Sequence, residues 1–234
     1  MTTPNSIRSL GPRLRAIAER VVPGFPVADL CCDHARLAVA LVNEDRVPRA
    51  IAGDINTGPL ASAAEALARL GLNARIELRH GDGVAVLEPG DATTVVIAGV
   101  GAPLAERIVR AGQASGKLAG VARLIVQPNH GFPKLGSLRA ALDGLGWTII
   151  DEAIACDQGR LYVIVVAEPG AVRLRDEADR ELGPVLRRGD DPLAAEWFER
   201  ERARVERALT GMDRGRFDVE TLAHYRRYLT LLEP

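Results

Sequence analysis

Two short apolar runs, each closing on an acidic tip, govern how this chain can fold. Val27-Ala-Asp-Leu30 leads into Cys31-Cys-Asp-His-Ala35, a turn rich in small and acidic residues. A helical pattern runs from about Asp33 to Val42, and a second apolar run, Ala50–Asp54, ends in a carboxylate. This is the first half of a doubly wound α/β sheet that takes a nucleotide or nucleoside: the turn after the first strand approaches the ligand, and the acid at the second strand's tip takes the ribose hydroxyls. Asp29 and Asp54 are separated by roughly the 20 residues that this geometry needs. A carboxylate at position 54, rather than an arginine, favours free ribose hydroxyls over a 2′-phosphate.

The rest of the chain continues the alternation. Residues 7–22 place Ile7, Leu10, Leu14, Ile17 and Val21 at helical spacing, and Pro23–Pro26 ends that helix. Gly58-Pro59 opens a helix to Leu70, which Gly71 terminates. Strands are expected at Arg75–Arg79, Thr93–Ala98 and Ala122–Val126, with helices over 103–111 and Leu135–Leu145. Trp147–Ala155 and Leu161–Ala167 form an antiparallel hairpin. The expected fold is α/β and Rossmann-like, a mostly parallel seven-stranded sheet whose last strand is reversed. After Pro169-Gly170 the chain turns Arg/Glu-rich and strand-poor. It divides into an α/β domain over 1–170 and a helical, coiled-coil-like domain over 171–234, a helix pair with a break near Gly211–Gly215.

Charge and cysteines exclude several classes. A net charge of −1 over 234 residues gives no global field toward nucleic acid. Locally, Arg8, Arg13, Arg15 and Arg20 face only Glu19 in the first 26 residues, a patch suited to a phosphate backbone. No apolar run approaches the ~18 residues of a membrane span, and Met1–Arg8 lacks a signal-peptide core. Three cysteines make no disulfide framework, so a cytoplasmic protein is expected, as a monomer. The histidines and cysteines have no metal-ligand spacing, and neither a GxSxG nor a P-loop motif occurs.

Several residues are candidates for a site, each with a plainer reading. Asp33 either faces the ligand or caps the following helix, and His34 belongs to the site or to the scaffold. Asp82 in Gly81-Asp-Gly83 is a turn residue or an acceptor for an adenine amine. Gly99 and Gly101 let backbone approach a ligand. Gln127-Pro128-Asn129 is a post-strand turn or a pair of amides for an adenine edge. Cys31 and Cys32 read as small buried residues.

The succession Leu14–Ala18, Ala28–Ala35, Ala52–Ile55, Gly58-Pro59, Gly71-Leu72, Gly81–Gly83, Ile97–Gly99, Gln127–Asn129 and Tyr162–Glu168 resembles the bacterial tRNA adenine-N1 methyltransferases, which modify the adenosine at position 22 in the D-arm. The resemblance implies the class I methyltransferase fold, S-adenosyl-L-methionine as methyl donor and tRNA as partner. On this chain Asp29, Cys31, Cys32 and His34 would border the methionine end of the donor. Asp54 with Ile55 would take the ribose side, and Asp82 with Gly83 the adenine. Gly99, Gly101, Gln127, Pro128 and Asn129 would line the junction with the target base. Asp33 and Asn129 are the implied catalytic residues, and Arg8 and Arg13 would grip RNA.

The chain departs from the family pattern at Cys31-Cys32, where Gly-Ser is usual, at Arg36 for an aromatic, and at Gly99-Val-Gly-Ala102 for Gly-Met-Gly-Gly. A rival reading therefore keeps the fold and drops the chemistry: a degenerate methyltransferase that binds RNA or a partner. A nicotinamide oxidoreductase is disfavoured, because no GxGxxG follows the first strand.

Overall fold

The strands are β1 (Val27–Leu30), β2 (Ala50–Asp54), β3 (Ile76–His80), β4 (Thr94–Val100), β5 (Arg123–Pro128), β6 (Trp147–Asp157) and β7 (Arg160–Pro169) in the computed structural model, which describes residues 6–129, 132–212 and 219–233. They form one sheet in the order β3-β2-β1-β4-β5-β7-β6. β1 to β5 are mutually parallel, and β7 runs antiparallel to both β5 and β6. Every residue of β1 and β2 is buried, as a parallel sheet covered on both faces requires.

Successive residues of β1 enter opposite cores. Val27 packs with Ile17 of α1 (Pro12–Arg20) and with Leu37 and Leu41 of α2 (Arg36–Asn43); Leu67 of α3 (Thr57–Leu70) belongs to the same core. Ala28 and Leu30 lie on the other face with Ile108 of α4 (Ala102–Ala114) and Leu138 of α5 (Leu135–Gly144).

Local chemistry moves three boundaries from their expected positions. The amphipathic stretch over 7–22 is two pieces, a 3-10 turn at Ile7–Ser9 and α1, since Leu10 is extended and Pro12 occupies the first helical position. The helix after β1 begins at Arg36 and not at Asp33, because Cys31, Asp33 and Ala35 all have positive φ. The hairpin strands are longer than their apolar cores suggest. Gln158 and Gly159, at φ 49° and 74°, make the two-residue left-handed turn that suits strand twist and carries β6 and β7 beyond the end of β5.

The C-terminal segment contains α6 (Glu177–Leu182), α7 (Ala194–Met212) and α8 (Val219–Leu231). Gly211 and Met212 lie within α7, and residues 213–215 of the expected helix break fall outside the described residues. Leu186, Ala194 and Trp197 enter the core that holds Trp147 and Ile154 of β6. Phe132, in the loop after β5, stacks on Tyr228 of α8 at 3.9 Å between centroids. Beneath this junction Arg139 and Glu152 form a fully buried ion pair of 2.7 Å. Among the described residues no helix is long and apolar enough to cross a membrane.

Candidate functional site

The strand order reverses direction of growth at β1 and β4, and ligands of open α/β sheets bind at such a switch point, beyond the carboxyl ends of the strands. Two groups of side chains meet there. One is organised by Asp54 at the tip of β2, the other by Gly99 at the bulge of β4.

Asp54 is buried and its carboxylate ties two loops together. Oδ2 accepts from the Asp33 amide at 3.0 Å, and Oδ1 accepts from the Asn56 amide and side chain at 2.9 and 3.0 Å. A carboxylate has about four acceptor sites, so Oδ2 keeps capacity for a ligand hydroxyl. Ile55 beside it leaves 58% of its surface exposed, an apolar platform at the cleft edge. The tether shapes the preceding turn. Cys31, Asp33 and Ala35 adopt φ of 59°, 53° and 53°, left-handed conformations that cost a residue with a Cβ on the order of 1 kcal/mol each.

Asp29 is buried on the α2 side of β1. Ala35 supplies no side-chain cap for α2, and the Asp29 carboxyl instead takes a hydrogen bond from the Ala38 amide in its first turn. Burial pushes the Asp29 pKa up to about 7, with that amide and the Arg13 charge opposing and Asp54 reinforcing. Burial also raises the Cys31 thiol to about 11, and it raises Cys32 further, the nearby Asp54 and Asp29 adding in both cases. Both sulfurs stay protonated at neutral pH, which leaves no thiolate for nucleophilic chemistry. Asp33 and His34 stand exposed at the rim, Nε2 to Oδ1 at 3.6 Å; Asp33 is not a helix cap.

Asp82 lies at the far end of this group, facing Arg107 of α4 through contacts of 3.2 and 3.4 Å. Gly83 has a packing explanation that the motif reading lacked. A Cβ there would sit 2.7 Å from Ile108 Cγ1, so the glycine makes room for α4 and is itself buried.

The second group joins β4 to β5. Gly99, at φ 76°, forms the bulge, and its carbonyl accepts from Asn129 Nδ2 at 2.5 Å while the Asn129 amide donates to Val100 O at 2.8 Å. Asn129 Oδ1 takes no hydrogen bond from a described residue. Gly101 has ordinary backbone angles and caps α4. Gln127 corrects the expectation of an amide facing a base. It is fully buried, accepting from Arg13 Nη1 at 2.5 Å and donating to Pro128 O at 2.7 Å, so both ends are engaged. Arg13, expected on an outer RNA-facing patch, lies inside the cleft and covers the Tyr162 ring at 5.6 Å. Arg8 stays exposed on the 3-10 turn, outside both groups.

Beyond Asn129 opens a groove of about 990 Å³ between the β6–β7 hairpin and α7. Lys134, Arg160, Arg200, Arg204 and Arg207 line it, with Glu201 as their acidic neighbour. The sequence hid this basic wall, since Arg200, Arg204 and Arg207 lie in a C-terminal segment of balanced charge and Lys134 and Arg160 stand far from them in the chain. No local pattern marks Arg107, and Tyr162 stands in the sequence only as the start of the Tyr162–Glu168 strand motif, with no site role attached.

A family model described as a methyltransferase domain matches residues 10–165. The crystal structure of the Bacillus subtilis M1A22 tRNA methyltransferase TrmK is 30% identical, covering 96% of this chain and 97% of that one with a TM-score of 0.84. The chain belongs to this tRNA methyltransferase family. Another member of the fold, Streptococcus pneumoniae Sp1610 solved in complex with S-adenosyl-L-methionine, is 33% identical over 93% of this chain and 98% of that one, at a TM-score of 0.79. The tRNA (adenine(22)-N(1))-methyltransferase of Bacillus subtilis strain 168 is 39% identical over 162 residues, which span 69% of this chain and 66% of that relative. The methyltransferase match takes in both groups of the cleft and ends in β7.

Proposed function

We propose that this chain transfers a methyl group from S-adenosyl-L-methionine to N1 of an adenine in tRNA, the adenine at position 22, in the cytoplasm. The observation that carries this reading is the whole-length similarity to a tRNA methyltransferase, joined to a cleft whose open groups suit a nucleoside donor on one side and a base on the other. The donor fits the residues present: Asp54 retains an acceptor beside the exposed Ile55, and Gly99 presents bare backbone. When bound, the donor supplies an electrophilic methyl on a sulfonium.

The protein's part is largely positional. Adenine N1 carries an in-plane lone pair and is unprotonated at neutral pH, so no base is needed to expose it. Holding two reactants in line is worth ~7–11 kcal/mol. Asn129, clamped by its amide and Nδ2, aims Oδ1 as the acceptor for the exocyclic amine of the target. Methylation leaves positive charge on the base, and the exposed Asp33 carboxylate offsets it. The basic groove beyond Asn129 suits the RNA backbone, with affinity that falls as salt rises.

Calorimetric titration with S-adenosylhomocysteine, followed by single-turnover methylation of a tRNA transcript, tests the reading. Asp54→Ala is expected to weaken binding about 10- to 100-fold, the worth of hydrogen bonds to a charged group. No binding by the wild-type chain would favour the rival, non-catalytic reading, which rests on Cys31-Cys32 standing where Gly-Ser is usual. The left-handed turn around Cys31 yields its own prediction. Cys31→Gly removes a Cβ from a position at φ 59°, so donor affinity should rise several-fold while stability shifts by under ~1 kcal/mol, relief of strain offsetting the freer unfolded glycine. Unchanged or weaker binding of S-adenosylhomocysteine would show that the thiol does not crowd the donor.

A further inference from the structure

The register of β5 against β7 pairs Leu124 with Ala167, Ile125 with Val166 and Val126 with Val165. That pairing ends at Val126 and Val165; Tyr162 lies three residues beyond it on the part of the hairpin that projects past the sheet, and Asn129 lies three residues beyond Val126. Both residues line the basic groove. Three aromatic side chains reach that groove, and two are already committed: Phe132 is stacked on Tyr228, and Trp197 is buried in the sheet core. Tyr162 is half-buried. Arg13 covers its ring, and the same guanidinium holds Gln127 and approaches both Gly99 and Asp29.

We propose that Tyr162 is the surface on which the target base stacks, and that Arg13 is the positioning residue that fixes that ring relative to the donor side. This rests on the proposed methyl transfer to RNA. A base turned out of its helix loses its stacking neighbours, and enzymes that act on one replace them with aromatic side chains. Tyr162 suits that task because the strand fixes its backbone and Arg13 restrains the ring, so little freedom is lost when a base arrives. Asn129, which lines the same groove, then meets the edge of a base whose face lies on Tyr162.

The experiment uses the full chain with Tyr162→Phe, Tyr162→Leu and Arg13→Gln. A tRNA transcript is read by single-turnover methylation, and a second transcript carries 2-aminopurine at position 22. Tyr162→Phe keeps a ring and should retain most of the kcat/KM for tRNA that Tyr162→Leu loses. Tyr162→Leu should lose roughly 10- to 100-fold in kcat/KM for tRNA, the usual worth of base–aromatic stacking, while its affinity for S-adenosylhomocysteine stays within about twofold. Arg13→Gln should lower the rate with little change in tRNA KM. The 2-aminopurine emission should be quenched by the wild type and by Tyr162→Phe, and not by Tyr162→Leu. Equal emission from wild type and Tyr162→Leu overturns the proposal, as does a Tyr162→Leu defect matched by an equal loss of S-adenosylhomocysteine affinity. Tyrosine-dependent quenching without any methyl transfer would instead overturn the catalytic reading and leave the stacking surface standing.

Discussion

Replacing Glu152 with alanine is expected to destabilise the fold by about 3–5 kcal/mol, the usual cost of leaving one member of a buried ion pair alone. Glu152 and Arg139 are both fully buried. Glu152 Oε1 accepts from Arg139 Nε at 2.7 Å, and Oε2 accepts from the Val185 and Leu186 amides at 3.0 and 3.3 Å. Arg139 in turn donates to the carbonyls of Arg180 and Glu181, which fastens the segment around α6 to α5. Removing the carboxylate therefore strands a guanidinium and two amides together. The midpoint of urea unfolding measures this directly, and a loss below ~1 kcal/mol would mean that water enters and solvates the pair. The Arg139→Met, Glu152→Leu double variant should recover part of the loss, since two apolar side chains leave no unpaired charge. Recovery should be incomplete, because the Val185, Leu186, Arg180 and Glu181 backbone groups still lose their partners.

Asp29→Asn is expected to change how stability depends on pH, by a few kcal/mol across the window. Burial holds the folded carboxyl near 7 against an ordinary value of 3.8. Between those values the folded chain keeps a proton that the unfolded chain has released, so wild-type stability falls as pH rises from about 4 to about 7 and levels off above. Each unit of that interval is worth about 1.4 kcal/mol. Asparagine keeps an oxygen to accept the Ala38 amide and carries no proton linkage. Its urea-unfolding free energy should therefore gain on the wild type from pH 4.5 to pH 8, and parallel pH profiles for the two proteins would refute the assignment. Donor binding supplies a second readout. The resemblance sets Asp29 beside the methionine end, where an ammonium would favour its ionised form. Wild-type affinity for S-adenosylhomocysteine should then rise through about pH 7, and the variant's should not.

The parts of this molecule that were legible from sequence are those fixed by neighbours in the chain. β1, β2 and their acidic tips follow from apolar runs that stop at Asp54 and at the Cys31 turn. Gly71 caps α3 in the left-handed conformation that its position implies. What escaped depends on contacts between distant segments. Neither cysteine nor alanine announces a left-handed residue, and the turn that holds Cys31, Asp33 and Ala35 in that conformation is tied at the Asp33 amide by Asp54, 21 residues downstream. Gly83 resembled a ligand-facing glycine until Ile108 was seen filling its place. Gln127 had the right chemistry for a base but spends it on Arg13 and Pro128. Tyr162 sits at the start of an apolar strand, and its meaning comes from Arg13 and the groove lining, which are distant from it in the chain.

The loop after β5 carries Asn129 at one end and Phe132 at the other, and Phe132 is gripped entirely by the C-terminal helices. Its amide donates to Glu201 Oε2 at 3.1 Å, its carbonyl accepts from Arg204 at 2.5 Å, and its ring lies on Tyr228. The C-terminal helices thus fix Phe132, three residues after Asn129 in the chain. Helices α6 to α8 are therefore not a cassette that can be exchanged for another while the sheet keeps its core. A crossover at residue 170 would remove Leu186, Ala194 and Trp197 from the core and free Phe132 in the same event. The sheet and the C-terminal helices therefore form one packing unit, and a substitution on either side of that seam is felt by the other.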